Sequence, residues 1–268
     1  MTQSVKEQQP TAATRSASGE VRIDATPDRV WRALTEAREL ERWFPLRAKV
    51  SPGPGGSLSM SWGSEFTEAM PIETWDPPRH LRTAWPWGGG TGVVTDYYLS
   101  ADGEGTLLRV VTSGFSDDPT WDAWVEGTNR GWAFELRSLK HYLERQDGQD
   151  RRALFLRRRV RLPAAAVWAR LTGDDGLAAH WLRGERIDES PPVQVAAILD
   201  EPVGAMVRVS VEPVQGDDAA PGDGASHDAT LWISLWGDSA GRLDEIEHEW
   251  TEALERAFPD GTTLRAAR

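Results

Sequence analysis

The sequence contains no cysteine, which excludes disulfide bonds, a thiol nucleophile and a thiolate metal site. It also lacks a run of about 20 apolar residues, the length that a membrane-spanning helix needs. The polar N-terminal stretch has no apolar core of the kind found in signal peptides, so we expect residues 1–18 to be a flexible tail. Together these absences favour a cytoplasmic protein without a membrane span.

Positive charge is scarce. The 30 Lys and Arg residues face 42 Asp and Glu residues, and the formal net charge is −12. Nucleic-acid binding is disfavoured, because it depends on clustered cations. The two basic clusters, Arg151-Arg152 and Arg157-Arg158-Arg159, are interpreted as a solvated linker and strand edge.

Tyrosine and phenylalanine are few, whereas tryptophan is abundant at 14 residues. Tryptophan is large, rigid and amphipathic, and is suited to lining a cavity. The alternative is that these side chains fill two ordinary cores.

The chain repeats itself over a domain-sized distance. Val30-Trp31 and Leu34-Thr35 recur as Val167-Trp168 and Leu171-Thr172, 137 residues further on. Such a period is too long for a solenoid unit. We therefore predict two copies of one fold, at residues 19–147 and 151–268.

The first copy is predicted to be an antiparallel sheet closed by a long helix. Thr26-Pro27-Asp28 has the pattern of a helix start. A helix over Pro119–Glu144 is predicted from apolar residues at 3–4 spacing. A half-buried strand at Val21–Ile23 and two short helices are predicted first. Short turns then separate further strand-like runs, which are Leu58–Trp62, Phe66–Trp75, His80–Trp87, Val93–Leu99 and Thr106–Phe115.

The second copy is predicted to be abbreviated. Its first strand spans Leu154–Leu162, and a helix over Arg242–Phe258 is expected to end it. Between them lies a loop, Gly216–Asp228, that is expected to be mobile. Three further strands are predicted, at Val193–Leu199, Ala205–Val214 and Ala229–Trp236.

The order of elements resembles the helix-grip superfamily of START, Bet v 1 and polyketide cyclase proteins. The first copy is similar to its chaperone-ATPase-activator-homologue branch through Val21–Trp43, Glu73–Leu81, Gly105–Leu108, Thr112–Phe115 and Gly127–Glu144. The resemblance implies an α+β fold of two tandem helix-grip domains. Each would be a curved antiparallel sheet wrapped round a long C-terminal helix, the second one abbreviated. It also implies a cavity for an apolar small molecule, although members differ in activity.

Strand and helix periodicity selects the side chains that would line such a cavity. In the first copy these are Thr83, Trp85, Trp87, Thr95, Tyr97, Thr112, Thr128 and Trp132, and in the second Trp181, Trp232, Trp236 and Trp250. Phe134 lies opposite Trp132 on the long helix and is a candidate for the domain junction. Arg158 is a second candidate: it either faces inward toward a polar partner or lies outward at a bulge, and we favour the bulge.

No catalytic constellation or metal site is evident. The five histidines are scattered, and His141 and His248 are predicted to be solvated. Tyr97 alone is weak evidence for an acid catalyst. We predict no catalytic residue, no cofactor and no metal.

The resemblance thus implies binding and sequestration of an apolar polyketide or polyene ligand, of the enediyne type, in natural-product biosynthesis. Three alternatives stay open: a polyketide cyclase or aromatase, a self-resistance protein, and a chaperone-type protein-binding adaptor. The oligomeric state is undetermined at this point.

Overall fold

The computed structural model describes residues 15–63, 65–85, 92–173, 176–214 and 226–267. They form two antiparallel sheets, each with a long helix, and this arrangement confirms the predicted α+β tandem fold. Trp87 and residues 216–225 of the predicted loop lie outside these ranges. Among the described residues, no helix has both the length and the apolar character that crossing a membrane requires.

The first domain is a seven-stranded antiparallel sheet with the order β1-β7-β6-β5-β4-β3-β2. Its first strand begins at Arg15, so the predicted tail of residues 1–18 is too long by four residues. Its elements are β1 (Arg15–Ile23), α1 (Pro27–Thr35), α2 (Ala37–Leu40), β2 (Arg47–Ser51), β3 (Ser57–Ser61), β4 (Met70–Asp76), β5 (His80–Ala84), β6 (Val94–Asp102), β7 (Gly105–Phe115) and α3 (Asp122–Arg145).

Local sequence determines where α1 begins and how closely α3 approaches the sheet. The Thr26 hydroxyl accepts a hydrogen bond from the Arg29 amide and Pro27 is the first helical residue, as predicted. Gly19 lies on β1 against α3, and a Cβ there would be 2.7 Å from a methyl carbon of Leu136. Glycine at this position therefore lets α3 lie close to the sheet.

The second domain is a six-stranded sheet with the order β13-β8-β12-β11-β10-β9. Neither edge strand, β9 or β13, was predicted. The domain ends in β13, whereas the sequence predicted a helix at its end. Its elements are β8 (Arg151–Val160), α4 (Ala164–Thr172), α5 (Leu177–Trp181), β9 (Gly184–Ser190), β10 (Gln194–Leu199), β11 (Met206–Pro213), β12 (His227–Trp236), α6 (Leu243–Ala257) and β13 (Thr262–Ala267).

The arginine clusters do not form a solvated linker and strand edge, and that interpretation was wrong. Strand β8 lies between β12 and β13, and Arg151 and Arg158 are both buried on it. The inward alternative for Arg158 is therefore the correct one. Its guanidinium donates to the carbonyl oxygens of Phe258 and Pro259 and to the Thr263 hydroxyl. These oxygens offset the cost of burying the charge.

Candidate ligand-binding cavity

The first domain contains a cavity of about 250 Å³ between its sheet and α3. Strands β3 to β6 form one wall and α3 forms the other. Its surface is almost entirely apolar. The lining residues are Phe44, Met60, Trp62, Met70, Thr83, Trp85, Thr95, Tyr97, Thr128, Gly131, Trp132 and Glu135. Because drug-sized ligands occupy about 300–1,000 Å³, this cavity suits a compact molecule or one segment of a longer one.

Three predicted threonines form a row across the sheet. Thr83 on β5 pairs with Thr95 on β6, which in turn pairs with Thr112 on β7. All three are buried. Thr83 and Thr95 line the cavity directly, whereas Thr112 lies behind it.

These threonines hold two tryptophan walls in fixed orientations. The indole N–H of Trp85 donates to the Thr95 hydroxyl, and that of Trp132 donates to the Thr112 hydroxyl. The nitrogen–oxygen distance is 3.0 Å in each bond. The two hydroxyl groups are also hydrogen-bonded to each other, with their oxygens 3.0 Å apart. Since every indole N–H in this network has an acceptor, the rings present their apolar faces without an unpaired donor.

Tyr97 packs edge-on against Trp132, with ring centroids 5.7 Å apart. Burial raises the pKa of its phenol, so the group stays protonated at neutral pH. Among the described residues we find no hydrogen-bond partner for its hydroxyl. Thr128, by contrast, donates its hydroxyl proton to the Trp124 carbonyl oxygen.

Four apolar lining residues were not predicted. Phe44 stacks on Trp43 at 5.0 Å and meets Trp62 edge-on at 5.5 Å. Phe44 lies in the connection between α2 and β2, where strand and helix periods give no signal. Met60 and Met70 could have been found by alternation, because both are buried on their strands.

Glu135 is a charged lining residue that sequence reasoning missed. It follows Thr128 and Trp132 at helical spacing, so a stripe that admitted charged residues would have included it. Burial raises the pKa of its carboxyl group to about 7, and the positive charges of Arg208 and Arg151 oppose this rise only in part. A carboxyl group with this pKa changes its charge near neutral pH.

The four tryptophans predicted for the second domain line neither the first-domain cavity nor the two large depressions of the second domain. Trp181 and Trp250 stack on each other at 4.7 Å in a closed core. Trp232 packs against Phe155, and Trp236 lies at the domain junction. Trp250 therefore fills space where Trp132 borders a cavity.

The second domain has two larger depressions with mixed polar and apolar linings. One of about 670 Å³ lies beside the β8 and β13 ends, and one of about 440 Å³ lies between α4, α5 and β10. Charged side chains such as Arg161, Arg170 and Arg186 contribute to their walls. Neither depression has the apolar character of the first-domain cavity.

Of the two residues predicted to lie at the domain junction, Phe134 does and Arg158 does not. Phe134 is buried against the second domain, and the guanidinium of Arg208 lies 4.7 Å from its ring centre. Arg158 lies away from the junction, because its hydrogen bonds all remain within the second domain.

His141 was predicted to be solvated, but it is buried and hydrogen-bonded to the Gly204 carbonyl. Burial lowers its pKa.

Residues 24–144 match the family model described as Activator of Hsp90 ATPase homolog 1-like protein. The resemblance stated from the sequence is thereby confirmed over these residues, which make up most of the first domain. No curated protein matches the chain.

Several solved structures are similar to the chain. A structure of MLL2253 from Mesorhizobium loti is 26% identical and covers 50% of this chain and 99% of its own, with a TM-score of 0.43. CalU16 from Micromonospora echinospora is 27% identical over 49% of this chain and 75% of its own, with a TM-score of 0.42. DynU16, a protein in the dynemicin biosynthetic locus, is 21% identical over 91% of this chain and 98% of its own, with a TM-score of 0.43.

Proposed function

We propose that the protein binds and sequesters an apolar small molecule in the first-domain cavity. The observation that carries this proposal is the apolar cavity itself, in which the indole N–H groups of Trp85 and Trp132 are both paired. Burying a ligand there removes apolar surface from water, which is worth about 25 cal/mol per Å².

The ligand class that we propose is a polyketide or polyene intermediate of natural-product biosynthesis. Flat aromatic walls such as Trp85 and Trp132 suit a flat, conjugated molecule, because both rings can stack on it. Enclosing a reactive chain in this way would also shield it from water. The ligand class rests on the resemblance of the first domain, and the cavity supplies its physical basis.

Binding of diphenylhexatriene, a linear polyene whose fluorescence rises outside water, tests the proposal. We expect saturable binding, weakened about tenfold by Trp85→Ala because part of the apolar wall is lost. Trp124→Ala is the matched control, since Trp124 lies exposed on α3 and does not line the cavity. Absence of binding, or equal affinities in both variants, would overturn the proposal.

A second candidate function is that of a cyclase or aromatase. It is favoured by the presence of Glu135, with a pKa of about 7, and the protonated Tyr97 in the same cavity. A carboxyl group with such a pKa is suited to general acid–base work. Turnover of a polyketide-synthase product by catalytic amounts of protein, abolished by Glu135→Gln, would establish catalysis. Stoichiometric binding without product would exclude it.

A further inference from the structure

Glu135 places a carboxyl group on the wall of an otherwise apolar cavity. The cation paired with it is Arg208 of β11, in the second domain, at an N–O distance of 3.7 Å. This distance is too long for a hydrogen bond. The carboxyl oxygens thus keep their capacity to accept a hydrogen bond from a bound molecule.

Arg208 is held beside Glu135 by packing. Its guanidinium lies over the ring of Phe134, the neighbour of Glu135 on α3, at 4.7 Å. Its Nε is buried and has no hydrogen-bond partner in the part of the chain that the structure describes. The second domain therefore supplies a partly buried positive charge to a site in the first.

The other polar groups of the cavity are largely engaged. Thr95 accepts from an indole, and Thr128 donates to a backbone carbonyl. The hydroxyls of Thr83 and Tyr97 have no partner among the described residues, but both are neutral groups. Glu135 is consequently the group that interacts most strongly with a polar atom on a ligand.

We propose that the ligand carries a hydroxyl group on its apolar body, as an alcohol, phenol or enol does, and that this hydroxyl donates a hydrogen bond to Glu135. Arg208 is the positioning residue, which holds the carboxylate and favours its charged form. This inference rests on the proposed function, and it adds the polar group that the ligand presents and the role of the second domain.

The charge of Glu135 gives the proposal a distinctive pH dependence. A hydroxyl ligand forms a charge-assisted hydrogen bond with the carboxylate, so its affinity rises as pH increases through about 7. A purely apolar ligand displaces water from the carboxylate and thus favours the neutral acid, so its affinity falls over the same range. The charged groups that face Glu135 are Arg208 of β11 and Arg151 of β8, and Tyr97 stays protonated throughout.

Equilibrium dialysis of the full chain tests these opposite pH dependences of affinity. The probes are naphthalene and 2-naphthol, which are of nearly equal size. Between about pH 6 and about pH 8, where 2-naphthol is neutral, its affinity should rise about three- to tenfold. The affinity of naphthalene should fall over the same interval. This measurement needs no variant, so it does not depend on a substituted protein folding.

Two substitutions assign the effect to its residues. Glu135→Gln should remove both pH dependences, whereas Glu126→Gln, at an exposed glutamate of the same helix, should keep them. Arg208→Gln should move the midpoint of the 2-naphthol profile to higher pH, because the cation no longer favours the carboxylate. Arg208→Lys should restore part of that movement, which a merely structural role would not produce.

The possible failures are distinguishable. If neither probe binds the unaltered protein, the proposed function itself fails, and this inference fails with it. If both probes bind but follow the same pH trend, or Glu135→Gln keeps the original profiles, the hydroxyl assignment is wrong while cavity binding stands. An unmoved midpoint in Arg208→Gln would overturn the role of the second domain.

Discussion

The hydroxyl of Thr112 fixes the orientation of two cavity walls. It accepts the indole N–H of Trp132 and shares a hydrogen bond with Thr95, which accepts the indole N–H of Trp85. Thr112→Val keeps the side-chain shape but leaves the Trp132 donor buried without an acceptor. We expect the free energy of unfolding to fall by about 1–3 kcal/mol. Urea denaturation measures this change.

A control for this prediction is available on the same sheet. Thr74 on β4 is half-buried, and its hydroxyl has no hydrogen bond among the described residues. Thr74→Val should change the free energy of unfolding by less than about 0.5 kcal/mol. Equal losses in the two variants would show that the indole network does not contribute to stability.

At the scale of single elements, β8 completes the C-terminal end of α6. The last carbonyl groups of a helix have no partners within the helix. Arg158 on β8 donates to the carbonyls of Phe258 and Pro259, just beyond α6, and its charge interacts favourably with the helix dipole. The buried arginine is therefore a capping residue for a distant helix.

We expect Arg158→Met to reduce the stability of the protein by about 2–3 kcal/mol, because buried carbonyl groups lose charge-assisted hydrogen bonds. Amide hydrogen exchange should become faster in α6. Arg161→Met is the control, since Arg161 is exposed immediately after β8. Unchanged exchange in α6 would contradict the capping role.

Strands with one buried face could be predicted from the sequence, because their apolar residues alternate with polar ones. Alternation found the row of Thr83, Thr95 and Thr112 because the three side chains lie on the same buried face of adjacent strands. Strands β9 and β13 were missed because both are edge strands of the second sheet. Edge strands carry polar residues and depend on pairing with their neighbours, which leaves little periodicity to detect.

The second face of the long helix α3 was predicted only in part. The stripe through Trp132 is correct, and Phe134 on the opposite face was a junction candidate, but His141 was expected to be solvated and is buried because the second domain covers it. Glu135 was missed because an apolar stripe excludes charged residues, although its position fits the cavity face. Contacts made by a second domain leave no periodic signal in the helix that they cover.

At the scale of the whole molecule, the second domain supports a wall of the first-domain cavity. Arg151 of β8 donates to the carbonyl oxygens of Phe44 and Pro45, and the indole N–H of Trp236 donates to the Arg42 carbonyl over 2.8 Å. These bonds fall on the connection between α2 and β2. The same connection supplies Phe44 to the cavity. The second domain therefore helps to determine the shape of the cavity.

Arg151→Met tests this coupling. Without the guanidinium, the carbonyls of Phe44 and Pro45 lose their donor, and we expect the affinity for diphenylhexatriene to fall about three- to tenfold. Calorimetry should show unfolding of the two domains separating into two transitions, because a buried contact across the junction is lost. Arg152→Met is the matched control: its side chain bonds to Ala240 and Asp244 within the second domain, and both properties should stay as they are. Were Arg151→Met to bind and unfold like the control, the second domain would have no part in shaping the cavity.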